Sequence, residues 1–403
     1  MKSLLIKIRK MICWTLCRIF PVNKRKIVIS NYYGRGYGDN LKYIADRLLT
    51  VEEGKRAKII WLVKNDTEKK SLPDGVVGCK LDTLASIYHL STARVWIDNC
   101  RKGYIPFKHG SQFYIQTWHG GGAQKKCEMD AKDVLSAGYV KAAIRDSEMV
   151  DLMIADSRFM TNLYHHSFWY DGAVLESGYP RYDILLNYDD ACVAKVYDYY
   201  GIDRDKALVL YAPTFRVDCS FAAYNIDFAR LRANLKERFG KDFVVLVHLH
   251  PTVASIEGGI DYDGSTVINS TFYPDTQELI AVSHVLIGDY SSINYDFSLK
   301  RQPVFRYAAD LEDYRKDRDL YFDFDKYPYP CAQNNDELEK LVLGFDEELY
   351  VSNLNAFFDE MGAVIKADSS EKIANLITDY IESKSKKEFF ARNNHLFIYP
   401  EKK

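Results

Sequence analysis

The stretch "KIVISNYYGRGYGDNLKYIADRLL", residues 26–49, decides how the rest of the chain is read. "KIVISNYY" (26–33) is a β-branched apolar run without strict alternation, as expected of a strand covered on both faces. "GRGYGDN" (34–40) is a glycine-rich turn, and "LKYIADRLL" (41–49) has helical periodicity. A buried strand turning through glycines into a helix opens a β–α unit, and repetition of that unit builds a parallel sheet. The alternation continues through "AKIIWLV" (57–63), "ARVWIDN" (93–99), "SQFYIQTW" (111–118), "DLMIADS" (151–157) and "GAVLESG" (172–178). It restarts after "NYDDACVAKVYDYYGID" (187–203) with "ALVLYAP" (207–213), "FVVLVHLHP" (243–251), "STVINST" (265–271), "HVLIGDYSS" (284–292) and "PVFRYA" (303–308). Two such runs predict an α/β chain of two Rossmann-like lobes with a cleft between them. The expected division is an N-terminal helix at 1–22, a lobe at 23–192, a second lobe at 193–385 and a polar, basic tail at 386–403.

Composition agrees with that reading. A chain of 403 residues is too long for one compact core, and 47% hydrophobic with 14% aromatic residues excludes a disordered or fibrous chain. A formal net charge of −2 gives no reason to expect nucleic acid, so any anion-binding surface is local. The 8 cysteines form neither a CxxC pair nor a Cys/His cluster, which argues against zinc and for reduced thiols.

The first twenty residues, "MKSLLIKIRKMICWTLCRIF", differ from the rest. Lys2, Lys7, Arg9, Lys10 and Arg18 occur without an acid, while Leu4, Leu5, Ile8, Met11, Ile12, Leu16 and Ile19 recur at helical spacing. The longest uncharged run, Met11 to Cys17, is far below the roughly 20 residues of a membrane span. The pattern predicts an amphipathic helix lying on an anionic membrane surface, with Trp14 and Phe20 at the interface. Packing of the same helix on the protein body is the alternative.

Ligands of open parallel sheets bind beyond the carboxyl ends of the strands, and five stretches fall there. The first is "GRGYGDN", with Gly34, Gly36 and Asn40; its spacing is not GxGxxG, and a plain strand-to-helix turn explains it as well. The second is "QTWHGGGAQKK" (116–126). There His119 is suited to take a proton from an alcohol, Gly120, Gly121 and Gly122 expose backbone N–H groups, and Lys125 and Lys126 add charge. The third, "YAPTFR", carries Thr214 and Arg216, the latter suited to phosphate oxygens or to a salt bridge. The fourth, "HLHP", carries His248 and His250 as phosphate partners, with no third ligand evident for a metal. In the fifth, "IGDYSSINYDFSLKRQPVF", Asp289 ends a strand and Ser291 and Ser292 precede a helix whose N-terminus suits phosphate. These features together suit transfer chemistry on a nucleotide diphosphate.

"QTWHG", "GYPRYD" (178–183), "YAPTFR", "HLHP" and "IGDYSSINYDF…PVF" occur in that order across most of residues 28–325. In this they resemble the CDP-glycerol glycerophosphotransferase family, the teichoic-acid primases and polymerases of bacterial cell walls. The resemblance implies a GT-B type fold and peripheral attachment to the cytoplasmic face of the membrane. It implies His119 as general base and His250 as the histidine on the donor phosphates. Ser291 and Ser292 correspond to donor-binding hydroxyls. Thr214, Arg216, His248, Asp289 and Asp296 fall in or beside the donor motifs, and Arg181 and Asp183 in the acceptor-side "GYPRYD". The implied reaction is attack of an acceptor hydroxyl on the phosphorus bearing glycerol, with CMP leaving. The donor is CDP-glycerol or CDP-ribitol, and the acceptor a lipid-linked saccharide or polyol-phosphate chain. No tightly bound cofactor is implied; Asp289 and Asp296 could recruit Mg²⁺ through the diphosphate, or serve only as helix and turn partners.

Family members commonly read "TWHGTPLK" where this chain reads "TWHGGGAQKK", so Gly121 and Gly122 stand in place of a Thr-Pro pair. That leaves the base in position and the acceptor and polyol open. Two rivals remain on these residues: a nucleotide-sugar glycosyltransferase on the same fold, and a non-catalytic membrane-peripheral scaffold. Two positioned histidines speak against the scaffold.

Overall fold

The computed structural model describes residues 2–103, 105, 107–122, 125–214, 224–249, 260–311 and 320–401. Among these the chain forms two sheets, both wholly parallel, as the β–α alternation predicts. The first contains β1 (Asn23–Ser30), β2 (Lys58–Val63), β3 (Val76–Lys80), β4 (Ala93–Asp98), β5 (Phe113–Gln116), β6 (Leu152–Ala155) and β7 (Ala173–Glu176). Their order is β3-β2-β1-β4-β5-β6-β7. The second contains β8 (Ala207–Tyr211), β9 (Phe243–Val247), β10 (Val267–Asn269), β11 (Val285–Gly288), β12 (Val304–Tyr307) and β13 (Cys331–Ala332), in the order β10-β9-β8-β11-β12-β13.

Each sheet therefore winds outward in both directions from one pair of central strands, β1/β4 in the first and β8/β11 in the second. Such a reversal splays the loops above the two strands and opens a crevice at their carboxyl ends. Burial on both faces makes the central strands apolar throughout. Ile27, Val28 and Ile29 of β1 are at most 1% exposed, each contributing about 1.5–3 kcal/mol. β1 ends at Ser30 rather than continuing to Tyr33, because Tyr32 and Tyr33 take positive φ (39° and 59°). Gly34 (φ +85°) completes the turn, and a Cβ there would lie 2.4 Å from Leu81 Cδ1 and 2.9 Å from the Lys64 nitrogen, so only glycine fits. The helix α2 (Asp39–Thr50) follows.

The compact units differ from the expected division. The first unit is Met1–His119, Cys127–Asp183 and Val364–Lys403, and the second is Gly120–Lys126 and Ile184–Ala363. The C-terminal forty residues thus belong with the first sheet, not with a lobe at 193–385 and a separate tail. Long-range contacts draw them back. Asp183 accepts the N–H groups of Ser369 and Ser370 at the start of the helix Ser369–Glu382, and Arg94 donates to the Tyr380 and Ser383 carbonyls. Phe389 is fully buried against Phe113, and Ile398 pairs antiparallel with Val174 of β7.

The helix α1 (Lys2–Cys17) forms as its periodicity predicts, but Trp14 does not face an interface. It is 4% exposed and meets the Phe107 ring edge-on at 5.9 Å, with Arg18 over that same Phe107 ring at 5.1 Å. Ile8, Met11, Ile12 and Leu16 remain exposed, as do Ile19 and Phe20 beyond its end. Among the described residues no helix is long and apolar enough to cross a membrane.

Candidate active site

The carboxyl ends of β1 and β4 carry "NYY" (31–33) and "DNC" (98–100), and β5 beside them runs into Trp118 and His119. His119 is partly exposed, and its Nδ1 lies 2.5 Å from the Asn99 carbonyl oxygen. A carbonyl can only accept, so Nδ1 carries the ring proton and the Nε2 lone pair is left for an incoming hydroxyl. Burial pulls the imidazole pKa below its ordinary value, against the opposing pull of the Asn99 carbonyl and Asp39. The ring is therefore neutral near pH 7, the state a general base requires. Cys100 Sγ sits 3.7 Å from Nδ1, but burial, with Asp98 and Asp39 behind it, pushes the thiol up to about 12. That keeps Cys100 a neutral thiol near pH 7, whereas a Cys–His nucleophile needs the thiolate.

The backbone around the imidazole is strained. Tyr32, Tyr33, Asp39, Trp118 and Glu128 all hold positive φ between 39° and 59°. Strain of this kind costs of order 1–3 kcal/mol per residue and persists only where surrounding bonds impose it. They do so here. Asn99, fully buried, donates to Asn31 Oδ1 (2.7 Å) and to Asp39 Oδ2 (2.7 Å) and accepts the Tyr32 N–H (2.9 Å). Asp39 also takes Arg181 at 3.0 Å, and Asn40 donates to the Trp118 carbonyl. Behind Trp118, the buried Arg101 pairs with Glu128 at 2.9 Å and Asp146 at 3.4 Å.

Several sequence-derived candidates have structural duties instead. The Gly36 N–H is held by Glu68 Oε2 at 2.5 Å, not open to an anion. Arg181 is 2% exposed, paired with Asp39 and stacked beside Tyr179 and Tyr182; it supports the site rather than facing a ligand. Asp183 is occupied by the start of the helix Ser369–Glu382. Gly120, Gly121 and Lys125 fall in the segment that packs with the second unit. There Gly122 (φ +59°) lies so close to Tyr295 that a Cβ would be 2.4 Å from the ring, and Lys125 bridges to Leu320. Gly121 and Gly122 are buried, whereas a Cβ at Gly120 would meet nothing within 4 Å.

At the switch point of the second sheet, Asp289 after β11 accepts the Thr214 N–H (2.8 Å), the Thr214 hydroxyl (2.6 Å) and the Tyr290 N–H (2.6 Å). This ties the ends of β8 and β11 together and leaves Asp289 poorly disposed to a metal. Asp296 is buried, with Gln277 Nε2 at 3.4 Å. Among the described residues no three His, Cys, Asp or Glu side chains are grouped to hold a metal. His248, half-buried, has both nitrogens engaged within the second unit, Nδ1 with the Ser270 carbonyl (2.9 Å) and Nε2 with the Thr276 hydroxyl (3.1 Å). Ser291 Oγ accepts the Ile293 N–H at 3.4 Å, whereas Ser292 makes no side-chain cap to the helix Ile293–Ser298. Both serines are partly exposed. Arg216 and His250 lie outside the described residues.

Sequence reading missed Asn99, Asp39 and the Arg101 network. The signal for Asn99 and Arg101 was available as "DNCRK" (98–102), a polar run directly after an apolar strand.

The chain has counterparts among known proteins. The chain is 29% identical over 372 residues to the teichoic acid poly(glycerol phosphate) polymerase of Staphylococcus epidermidis, covering 88% of this chain and 51% of that one. It thus spans about half the length of that relative. It spans 96% of a polymerase of the same name from Bacillus spizizenii, at 28% identity over 92% of this chain. The teichoic acid ribitol-phosphate primase of Bacillus spizizenii is 27% identical, with 95% and 99% of the two chains covered. The solved structure of the wall teichoic acid polymerase TagF superposes with a TM-score of 0.81 at 27% identity, over 94% of this chain and 95% of that one. The family model for CDP-glycerol:poly(glycerophosphate) glycerophosphotransferase matches residues 12–379. Because that match runs through both sheets, from within α1 to the helix Ser369–Glu382, the chain belongs to this glycerophosphotransferase family of transferases.

Proposed function

We propose that the chain transfers a polyol phosphate, glycerol phosphate in the first instance, from a CDP-activated donor to a hydroxyl of a lipid-linked wall or capsular polymer precursor. The observation that carries this reading is His119: a neutral imidazole whose proton is fixed on Nδ1 by the Asn99 carbonyl, at a strand end beside the switch point. In the proposed step the acceptor oxygen attacks the donor phosphorus that bears the polyol. The new O–P bond forms as the P–O bond to the CMP phosphate breaks, and CMP keeps the bridging oxygen. The acceptor proton passes to His119 Nε2. Donor binding is assigned to the second unit, through Ser291, Ser292 and, from the family resemblance, Arg216 and His250. No cofactor is part of the proposal, and Mg²⁺ enters only as a companion of the diphosphate.

The second reading is CDP-ribitol, favoured by the near full-length likeness to a ribitol-phosphate primase. Incubation with CDP-glycerol, CDP-ribitol or nucleotide sugars and a lipid-linked disaccharide, with and without EDTA, decides. Acceptor-dependent CMP release from one CDP-polyol is the expected result and names the polyol. Nucleotide release from sugar donors alone refutes polyol-phosphate transfer, and loss of turnover in EDTA assigns a divalent ion to the donor diphosphate.

The proposal also places the protein peripherally on the cytoplasmic face of the bacterial membrane. Support comes from the exposed Ile12 and Leu16 of α1, and from Phe20 and Tyr88, whose rings meet at 5.6 Å beside it. Exposed apolar side chains on a basic helix favour anionic lipid. The double substitution Ile12→Asp, Leu16→Asp is expected to lower co-sedimentation with phosphatidylglycerol vesicles about tenfold or more, with turnover on a soluble acceptor unchanged. Undiminished sedimentation would remove the lipid role of α1.

A further inference from the structure

The first unit contains a cavity of about 910 Å³ that the transfer step does not use. Its roof is Ile8, Met11 and Trp14 of α1, and Leu62 of β2, Ile87 and Leu90 line it below. Packed interiors leave few voids larger than a water molecule, so an apolar space of this size is a ligand volume, within the ~300–1,000 Å³ of small-molecule sites. It lies over the carboxyl ends of β1, β2 and β4, with Ser30 and Asp98 in its lining.

The charges are sorted by position. Inside, Asp98 is paired with Lys102, and Arg101 with Glu128; at the edge, Lys10 pairs with Asp82 at 2.6 Å. Arg35 and Lys64 also line the cavity, are exposed, and form no side-chain hydrogen bond or ion pair among the described residues. Two uncommitted cations at an apolar mouth suit an anionic head on an apolar chain. Cys100, another lining residue, is the one whose sulfur lies 3.7 Å from the His119 ring. Cys100 thus stands between the cavity and the candidate base.

We propose that this cavity holds the apolar chain of a single-chain lipid phosphate or diphosphate, with the head at Arg35 and Lys64, and that this lipid is the acceptor's own anchor. The naming of the lipid as acceptor rests on the transfer reading above; the lipid site itself does not. A cavity adjoining the base places the accepting hydroxyl within a few sugar or polyol units of the lipid. That is the geometry of a priming or short-chain transfer.

The test begins without donor, by calorimetric titration of the full chain with farnesyl diphosphate, geranyl diphosphate, inorganic pyrophosphate and lysophosphatidylglycerol. Farnesyl diphosphate is expected to bind at least about 100-fold more tightly than pyrophosphate, with the geranyl compound between them, because each buried methylene adds affinity. Ile87→Trp, which fills the cavity, and Met11→Trp, on the exposed roof where folding is not at risk, should each weaken farnesyl binding about tenfold or more. Arg35→Gln with Lys64→Gln should do so by loss of the head contacts. A photoactivatable prenyl diphosphate should label residues of α1 in the unmodified protein. Pyrophosphate binding as tight as farnesyl diphosphate, or farnesyl affinity indifferent to both tryptophan variants, overturns the site. Lysophosphatidylglycerol binding as tight as farnesyl diphosphate overturns its assignment to the acceptor and gives it to bilayer lipid. The two readings also fail separately. Turnover with equal KM for tailless and farnesyl-tailed acceptors sinks the cavity and spares the transfer; absence of CMP release with cavity-dependent farnesyl binding does the reverse.

Discussion

His119→Ala lowers turnover by about 10²–10⁴-fold, the scale of a removed general base, while the protein remains folded. The folding expectation follows from position. His119 is partly exposed at the end of β5, and its loss leaves one carbonyl, that of Asn99, to be taken up by water at about 1 kcal/mol. The catalytic expectation follows from the tautomer, since with Nδ1–H spent on Asn99 only Nε2 can receive the acceptor proton. The pH profile adds a check that a structural histidine would not pass. Burial lowers the His119 pKa, so the active neutral form dominates at and above neutrality, and kcat/KM should be level from pH 7 to 8. The rate should decline only below the ordinary imidazole range of about 6.5. In the alanine variant that acid limb should vanish from the residual rate. Turnover within threefold of the unmodified protein, or an acid limb that survives the substitution, would remove His119 from the mechanism.

How much of this site is legible in the sequence depends on where each residue's partner lies. A histidine closing an apolar strand is a local pattern, and "SQFYIQTWHG" shows it directly. The Asn99 carbonyl that fixes its tautomer leaves no trace in side-chain identity, and the positive φ of Asp39 and Trp118 none in periodicity. His248 looked like a ligand because its partners, Ser270 and Thr276, lie 22 and 28 residues downstream. Nothing in "HLHP" announces them. The strands tell the same story. Central strands buried on both faces are unbroken apolar runs. The edge strands β3, "VVGCK" with Gly78 inside, and the two-residue β13 carry too little apolar signal to be seen. The return of residues 364–403 to the first unit rests on Arg94, Phe113 and Asp183, far away in the chain, and so escaped a division read along it. Trp14 at helical spacing fits lipid and core equally; only the Phe107 ring beside it decides.

The largest effect on stability is expected from Arg101→Met. The guanidinium is 5% exposed in its side chain, against 1% for its partners Glu128 and Asp146. It also donates to Ser147 Oγ at 2.7 Å and to the Phe168 carbonyl at 3.3 Å. Burial alone would lower its pKa, but Glu128 and Asp146 raise it, so the cation is what keeps two buried carboxylates in place. Replacing both members of such a group with apolar side chains can be neutral, whereas removing one leaves buried charge uncompensated at about 3–5 kcal/mol. For a unit of roughly 150–250 residues that is a fall in Tm of about 6–20 °C. The sign of the pH dependence is fixed by the same argument. Burial already raises the Asp146 carboxyl above its ordinary range against the opposing pull of Arg101, and without Arg101 that rise grows. Protonation then favours the folded variant, and its deficit should shrink as pH falls from 8 toward 5. Activity should drop as well, because Arg101 lies 5.8 Å over the ring of Trp118, whose strained backbone leads into His119. Arg101→Lys should recover part of the stability through charge, but not the forked contacts to Glu128 and Ser147. Thermal melts of the three proteins at pH 8 and pH 5 test this, and a methionine variant within 2 °C of the unmodified protein at pH 8 would show that the buried network does not hold the site.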